Sequence, residues 1–202
     1  MRKLPPGKLV IATHNQGKLE EFSALLRPYG IVPVSASELG LPEPRETEDT
    51  FVGNARIKAH AAAGICGLPA LGDDSGLTVD ALGGAPGVRT ADWAETGQGR
   101  DFSLAMQRTW SALEVAAAEF PRIAQFRCTL VLAWPDGVDI VVAGVLPGQI
   151  VWPMRGPSGH GYDPIFQPDG FTQTLGEMPL DEKNRISHRA DALRRLAEVC
   201  FT

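Results

Sequence analysis

Thr13, His14, Asn15, Gln16, Gly17 and Lys18 gather hydroxyl, imidazole, amide and ammonium groups around a glycine, where an extended run gives way to a helical one. Such a junction is a seat for an anion. Backbone N–H groups and the positive end of the helix dipole face a ligand there, Gly17 permits close approach, and Lys18 adds a full charge. The spacing does not fit GxxxxGK[ST], which excludes an ordinary P-loop. A tight turn followed by a solvated lysine would use the same residues, and this stretch alone does not separate the two.

Asp73, Asp74 and Ser75 follow an apolar strand and precede Gly76. Adjacent carboxylates at a strand end suit Mg²⁺, which takes hard oxygen ligands and keeps waters for substrate phosphates. Asp, Ser and Gly are also common turn residues, so a turn or cap is the competing reading. Glu46, Glu48 and Asp49 stand just before a helix, where acids favour the dipole whatever their function, and any of them reaches toward a metal equally well. On that helix Asn54 and Lys58 are four apart and share a face, placing an amide beside a cation; solvation is the commoner fate of such a lysine.

Gly159, His160, Gly161, Tyr162, Asp163 and Pro164 form a glycine-bearing loop in which an imidazole or a phenol could stack on a base. The alternative is a rigid loop with Tyr162 packed inward and Asp163 capping a turn. Lys183 leads to Ser187, His188 and Arg189. Ser187 reads as the cap of the last helix, with His188 and Arg189 in its first turn and their donors directed away from the core. A cation there opposes the helix dipole, a local inconsistency of the kind that accompanies function.

The elements that must carry these residues follow from periodicity. Lys8 to Thr13 predicts a strand, and Leu19, Phe22, Leu25, Leu26 and Tyr29 a helix stopped by Gly30. Ile31 to Ser35 is extended, and Glu38 to Glu48 is loop. Asp49 or Thr50 caps a helix marked by Phe51, Val52, Ala55, Ala59, Ala62 and Cys66, whose alanine face implies close packing. A short strand over Pro69 to Gly72 runs into the aspartates, with a second extended piece at Leu77 to Asp80. Gly83 to Gly99 reads as an ordered loop, and Phe102, Met106, Trp110, Leu113 and Ala117 as a helix. Phe126 to Trp134 and Val138 to Val151 form a long hairpin across Pro135, Asp136 and Gly137. Glycine and proline then dominate to Gly170, and Ile186, Ala190, Leu193 and Leu196 mark the final helix. Early alternation of strands and helices with a late hairpin gives an α/β chain with a mixed, elongated sheet, taken here as one domain over residues 1–202.

Composition narrows the function classes. With 202 residues, 44% hydrophobic and 21% charged, the chain has the make-up of an ordinary globular domain with a substantial core. Its 19 Lys and Arg against 24 Asp and Glu leave a net charge of -5, without the basic footprint of a nucleic-acid binder. No apolar run is long enough to cross a bilayer, and Met1 to Lys8 lacks the apolar stretch of a secretory signal, so a cytoplasmic protein without membrane contact is expected. Cys66, Cys128 and Cys200 share no CxxC spacing, which argues against a disulfide framework or a zinc knuckle; Cys66 and Cys128 read as small core residues.

Together the stretches KLVIATHNQGKLEEF, TFVGNARIKAHAAA, ALGDDSGLTVDALGGAPGVRTA, GYDPIF and EKNRISHRADAL resemble the inosine triphosphatase family of non-canonical purine nucleoside triphosphate pyrophosphatases, the HAM1-like proteins, in order and over nearly the whole chain. The resemblance implies a homodimer of elongated α/β subunits, each with a central mixed sheet and flanking helices forming two lobes around a nucleotide cleft. It implies hydrolysis of ITP, dITP and XTP to the monophosphate and pyrophosphate, with Mg²⁺ as cofactor. Thr13, Asn15, Lys18 and Lys58 would face the phosphates, His14, Gln16 and Gly17 would complete that substrate-binding loop, and Ser75 would touch the substrate. Asp74 would bind the metal and serve as general base, with Glu46 as a second ligand. His160, Gly161, Tyr162, Asp163, Lys183, His188 and Arg189 would frame the base and sugar, donors from Arg189 or His188 suiting the C6 carbonyl of hypoxanthine and xanthine. The chain departs from the family in carrying His160 where an aromatic usually precedes Gly-Tyr-Asp, Arg45 before Glu46 where adjacent acids are common, and His14 in place of a smaller residue. The Maf-like pyrophosphatases and a non-catalytic nucleotide-binding protein are the rival readings; Lys183 and the Ser187-His188-Arg189 run speak against the first, and retention of Lys18 and Asp74 against the second.

Overall fold

A computed structural model describes residues 2–157 and 160–201. The strands are β1 (Gly7–Ile11), β2 (Ile31–Ser35), β3 (Ala70–Val79), β4 (Glu95–Thr96), β5 (Gly99–Arg100), β6 (Ile123–Ala133), β7 (Asp139–Ile150) and β8 (Phe166–Pro168), and the helices are α1 (Gln16–Leu26), α2 (Phe51–Cys66), α3 (Phe102–Val115), α4 (Leu180–Ile186) and α5 (His188–Cys200). Six strands form one mixed sheet in the order β2-β1-β3-β6-β7-β8, and β4 pairs with β5 apart from it. β1 runs parallel to β2 and β3, while β7 and β8 are antiparallel. The expected α/β class and mixed sheet are therefore present.

The chain divides into two compact units: Met1–Asp74 with Cys128–Gly144 and Arg189–Thr202, and Ser75–Arg127 with Val145–His188. In the first unit the central strands β1, β3 and β6 are buried on both faces along residues 9–11, 70–74 and 128–133, which explains their nearly continuous apolar runs. Leu9, Ile11, Leu130 and Leu132 pack with Phe22 and Leu26 of α1 and Leu193 and Leu196 of α5. Their neighbours Val10, Val131 and Ala133 point the other way, onto Ala55, Ala59, Ala62 and Ala63 of α2. The period-two alternation of the strands thus assigns large side chains to one face and a thin alanine layer to the other. The second unit has its own core, in which Leu77, Val79, Met106, Leu113, Phe126, Ile150, Tyr162 and Phe166 are buried.

The alanine layer brings α2 onto the sheet, and Gly72 completes the approach. A Cβ at Gly72 would lie 2.4 Å from the Ala55 carbonyl oxygen and 2.8 Å from the Ala59 nitrogen, both backbone atoms that cannot swing aside. Gly72→Ala is accordingly expected to push α2 off β3 at a cost of about 3 kcal/mol. Thermal unfolding of the variant checks this, and an unchanged midpoint would refute the close-packing account.

Several sequence expectations need correction. β3 is one continuous strand through Asp73, Asp74 and Ser75, not a strand ending in a turn, because both carboxylates find partners while the backbone stays extended. Gly83 to Gly99 is not loop throughout: it holds 3₁₀ turns at Gly87–Arg89 and Asp92–Ala94 and begins the β4–β5 ribbon. Ile186 belongs to the separate α4, with Ser187 in extended conformation between α4 and α5. Ala117 lies beyond α3 in the left-handed region. Cys128 is a core residue as expected, whereas Cys66 is only partly buried. Among the described residues no helix is long and apolar enough to cross a membrane.

Candidate active site

In the first unit, the β1–α1 junction is built by its own side chains. β1 ends at Ile11, two residues earlier than expected, and the Thr13 hydroxyl accepts a hydrogen bond from the Asn15 N–H at 3.1 Å. Asn15 is the N-cap of α1, its carbonyl oxygen accepting from the Lys18 N–H at 3.2 Å. Thr13 and Asn15 therefore shape the loop, and the first-turn amides of Gln16 and Gly17 fall where a helix offers no carbonyl of its own. The Gln16 side chain donates to Glu20, and the His14 Nε2 lies 2.9 Å from the Leu41 carbonyl.

Lys18 is not simply solvated. Its ammonium donates to Asp73 Oδ2 at 2.8 Å, and Arg189 Nη2 lies 3.9 Å from the same oxygen. Arg189 also donates to Glu21 on α1, and its guanidinium sits 5.6 Å from the Phe22 ring centroid. The expectation that Arg189 directs its donors away from the core is overturned: the residue is only 7% exposed. Two carboxylates and an aromatic face compensate the burial of its charge.

Successive residues of a strand face opposite sides, so Asp74 looks toward α2. Asn54 Nδ2 donates to Asp74 Oδ2 at 3.3 Å, while Asn54 Oδ1 accepts from the Glu48 N–H at 3.0 Å. Lys58 donates to Glu46 Oε1 at 3.0 Å and lies 3.7 Å from Asp74 Oδ1. Lys58 is buried, not on a solvated helix face. α2 delivers these groups because Thr50 caps it, accepting from the Gly53 N–H, and because Asn54 and Lys58 are one turn apart.

The two neighbouring aspartates have opposite electrostatic characters. Burial disfavours ionisation of Asp73, but Lys18 and then Arg189 outweigh it and hold the carboxyl far below the usual range. Asp74 is pushed up to about 6, first by burial and then by the Glu46 charge, against which Lys58 is only a partial offset. Lys58 itself is raised despite burial, because Asp73, Asp74 and Glu46 all favour its charged form. Lys58 answers to three carboxylates, while Asp74 is buried beside Glu46 and must share the Lys58 ammonium.

The second unit holds Ser75 on β3 and the loop residues. Tyr162 is 1% exposed and packs inward, edge-on to Phe102 at 5.9 Å, its hydroxyl donating to the Thr90 carbonyl at 3.0 Å. Tyr162 thus packs inward, as the rigid-loop reading has it. Tyr162→Phe should cost about 1 kcal/mol by leaving that carbonyl without its donor, measurable by urea denaturation. Asp163 Oδ2 accepts from the His160 N–H at 2.8 Å and from buried Lys183 at 2.9 Å, so Lys183 anchors the loop from α4. Gly161 has φ 66, a left-handed conformation that suits glycine. His160 is exposed, and Gly159 lies outside the described residues. His188 stacks on Phe126 at 5.1 Å and 14°, and so is fixed by the core instead of pointing away from it.

Glu21 and the linking role of Asp73 were missed in the sequence. Glu21 follows Lys18 by three residues and so shares its helix face, the one signal that could have found it. Among the described residues no group of three or more His, Cys, Asp or Glu gathers as a metal cluster. The chemistry available in the first unit is therefore that of lysines, a buried guanidinium and a carboxyl poised near neutrality beside a helix N-terminus.

Fold and site define the class: an α/β protein that gathers Lys18, Lys58 and Arg189 around two adjacent aspartates of its central sheet. A model of the Ham1 family matches residues 9–199, and the chain belongs to that family. It is 65% identical to the dITP/XTP pyrophosphatase of Ruegeria pomeroyi, over 96% of this chain and 95% of that protein. It is 51% identical to the dITP/XTP pyrophosphatase of Agrobacterium fabrum, over 100% and 99%. The structure of a HAM1 protein from Coxiella burnetii superposes with a TM-score of 0.87 at 40% identity, covering 95% of this chain and 97% of that one.

Proposed function

We propose that this chain is a nucleoside triphosphate pyrophosphatase that hydrolyses dITP, XTP and ITP to the monophosphate and pyrophosphate, removing them from the nucleotide pool before incorporation into DNA or RNA. The observation that carries the reading is identity of 65% across 96% of the chain to a protein named for that activity. Thr13, His14, Asn15, Gln16, Gly17, Lys18 and Lys58 bind the phosphates, with Ser75 touching the substrate. The Asp74 carboxylate accepts a proton from the attacking water. The lysines offset charge that develops on the phosphoryl oxygens.

Asp74 and Glu46 fit a magnesium site: both already approach one centre of positive charge, the Lys58 ammonium, and both offer hard oxygen donors. Mg²⁺ bound there supplies charge neutralisation and a lowered pKa for water. Burial and the Glu46 charge that disfavour ionised Asp74 are what an added cation would relieve. His160, Gly161, Asp163, Lys183, His188 and Arg189 frame the base and sugar, with Tyr162 supporting their loop from the core. Donors from Arg189 or His188 suit the C6 oxygen of an oxopurine. Adenine offers an amino group there and would leave a buried donor unmatched, costing about 1–3 kcal/mol.

The enzyme acts as a cytoplasmic homodimer, and residues 1–202 form one domain, since β3, β6 and β7 each contribute to both compact units. Product analysis with ITP, XTP, GTP and ATP under Mg²⁺ tests the reading. Pyrophosphate from ITP and XTP alone is expected. Release of orthophosphate, or equal use of ATP, would overturn it.

A further inference from the structure

On α2, Arg56 and His60 are one turn apart, as Asn54 and Lys58 are, but two residues of offset turn them roughly 200° around the helix axis. They therefore project from the side opposite the site. There they converge on one carboxylate: Asp139, at the start of β7, accepts from Arg56 Nε at 2.9 Å and lies 3.0 Å from His60 Nε2. α2 is thus held from two sides, by Asp74 through Asn54 and Lys58, and by Asp139 through Arg56 and His60. The alanine layer between helix and sheet has few side-chain atoms to resist rolling, so polar braces at both flanks set the rotation.

We infer that Asp139 is a positioning residue for the proposed reaction: by clamping Arg56 and His60 it fixes the rotation of α2 at which Asn54 and Lys58 meet Asp74. The inference deepens the pyrophosphatase reading and rests on it for its catalytic consequence. A brace on the far face of a helix leaves no mark at the site except through the helix, which sets the form of the test. An exposed ion pair contributes little to stability by itself, and the Arg56 side chain is 51% exposed. The signature is therefore kinetic and geometric, not thermal.

The experiment pairs crystal structures with a double-mutant cycle. In Asp139→Ala, α2 should rotate and lengthen the Asn54–Asp74 contact from 3.3 Å and the Lys58–Asp74 contact from 3.7 Å. kcat/KM for ITP should fall about tenfold, and Asp139→Asn, which retains an acceptor, should recover part of it. In an Asn54→Ala, Lys58→Gln background the same Asp139→Ala change should have almost no further effect, because both paths from α2 to Asp74 are already cut. Asp136→Ala, which breaks the exposed Arg2 pair on the neighbouring turn, should match the wild type. Unmoved contacts in the Asp139→Ala structure, or losses that simply multiply in the cycle, would overturn the inference. The structural arm decides the geometry even if ITP proves not to be the substrate.

Discussion

Asp74→Asn is expected to release pyrophosphate from ITP at about a thousandth of the wild-type rate and, without metal at pH 7, to melt roughly 2–4 °C higher. Both effects come from one electrostatic fact. Burial and the nearby Glu46 raise the Asp74 carboxyl to about 6 in the folded chain. In the unfolded chain it returns to about 4. Between those values the folded state binds more protons than the unfolded one, so this residue's contribution to stability falls as pH rises through the window from about 4 to about 6. Above it, ionised Asp74 is a net burden on the ligand-free protein, and an amide removes the burden together with the base. The stability advantage of the variant should therefore shrink when calorimetry is repeated at pH 4. A variant that keeps a tenth of its turnover, or melts below the wild type at pH 7, would refute this assignment.

The elements were legible because their signals are local. The stripe of Phe22 and Leu26, the Thr50 cap and the hairpin turn at Pro135 to Gly137 all act within one or two turns of chain, and α1, α2 and the β6–β7 pair appear where they imply. β3 was misread because two adjacent aspartates look like a turn until their partners are known. One of those partners, Lys18, is 55 positions away.

The site was legible as a set of residue types but not as a circuit. Lys18, Lys58, Asp74 and Arg189 stand out by residue type and spacing, yet the burial of Lys58, Asp74 and Arg189 is invisible in the sequence. The Arg189 pair with Glu21 spans 168 positions, and no periodicity reports a contact of that range. Tyr162 shows the converse: an aromatic between glycine and aspartate suits a stacking platform as well as a core anchor. Only the depth of its burial, with the hydroxyl spent on Thr90, decides.

Asp73→Asn should destabilise the protein by about 3–5 kcal/mol at pH 7, more than Asp74→Asn changes it and in the opposite direction. Asp73 is the shared counter-ion of Lys18 and Arg189, and its side chain and that of Arg189 are only 2% and 9% exposed. Neutralising it removes the carboxylate that lies 2.8 Å from the Lys18 ammonium and 3.9 Å from the Arg189 guanidinium. The sign of the pH dependence is the reverse of the Asp74 case. A folded-state value held below the ordinary carboxylate range means that the stabilisation is complete above about pH 4 and is lost as pH falls through the depressed value. Urea unfolding of wild type and variant at pH 7 and at pH 3 should show the gap between them narrowing with acid. Turnover should suffer mainly through KM, since the loss frees cations that bind substrate and spares the carboxyl that takes the proton. Equal urea midpoints at pH 7 would mean that Lys18 and Arg189 find other anchors and that Asp73 does not hold them.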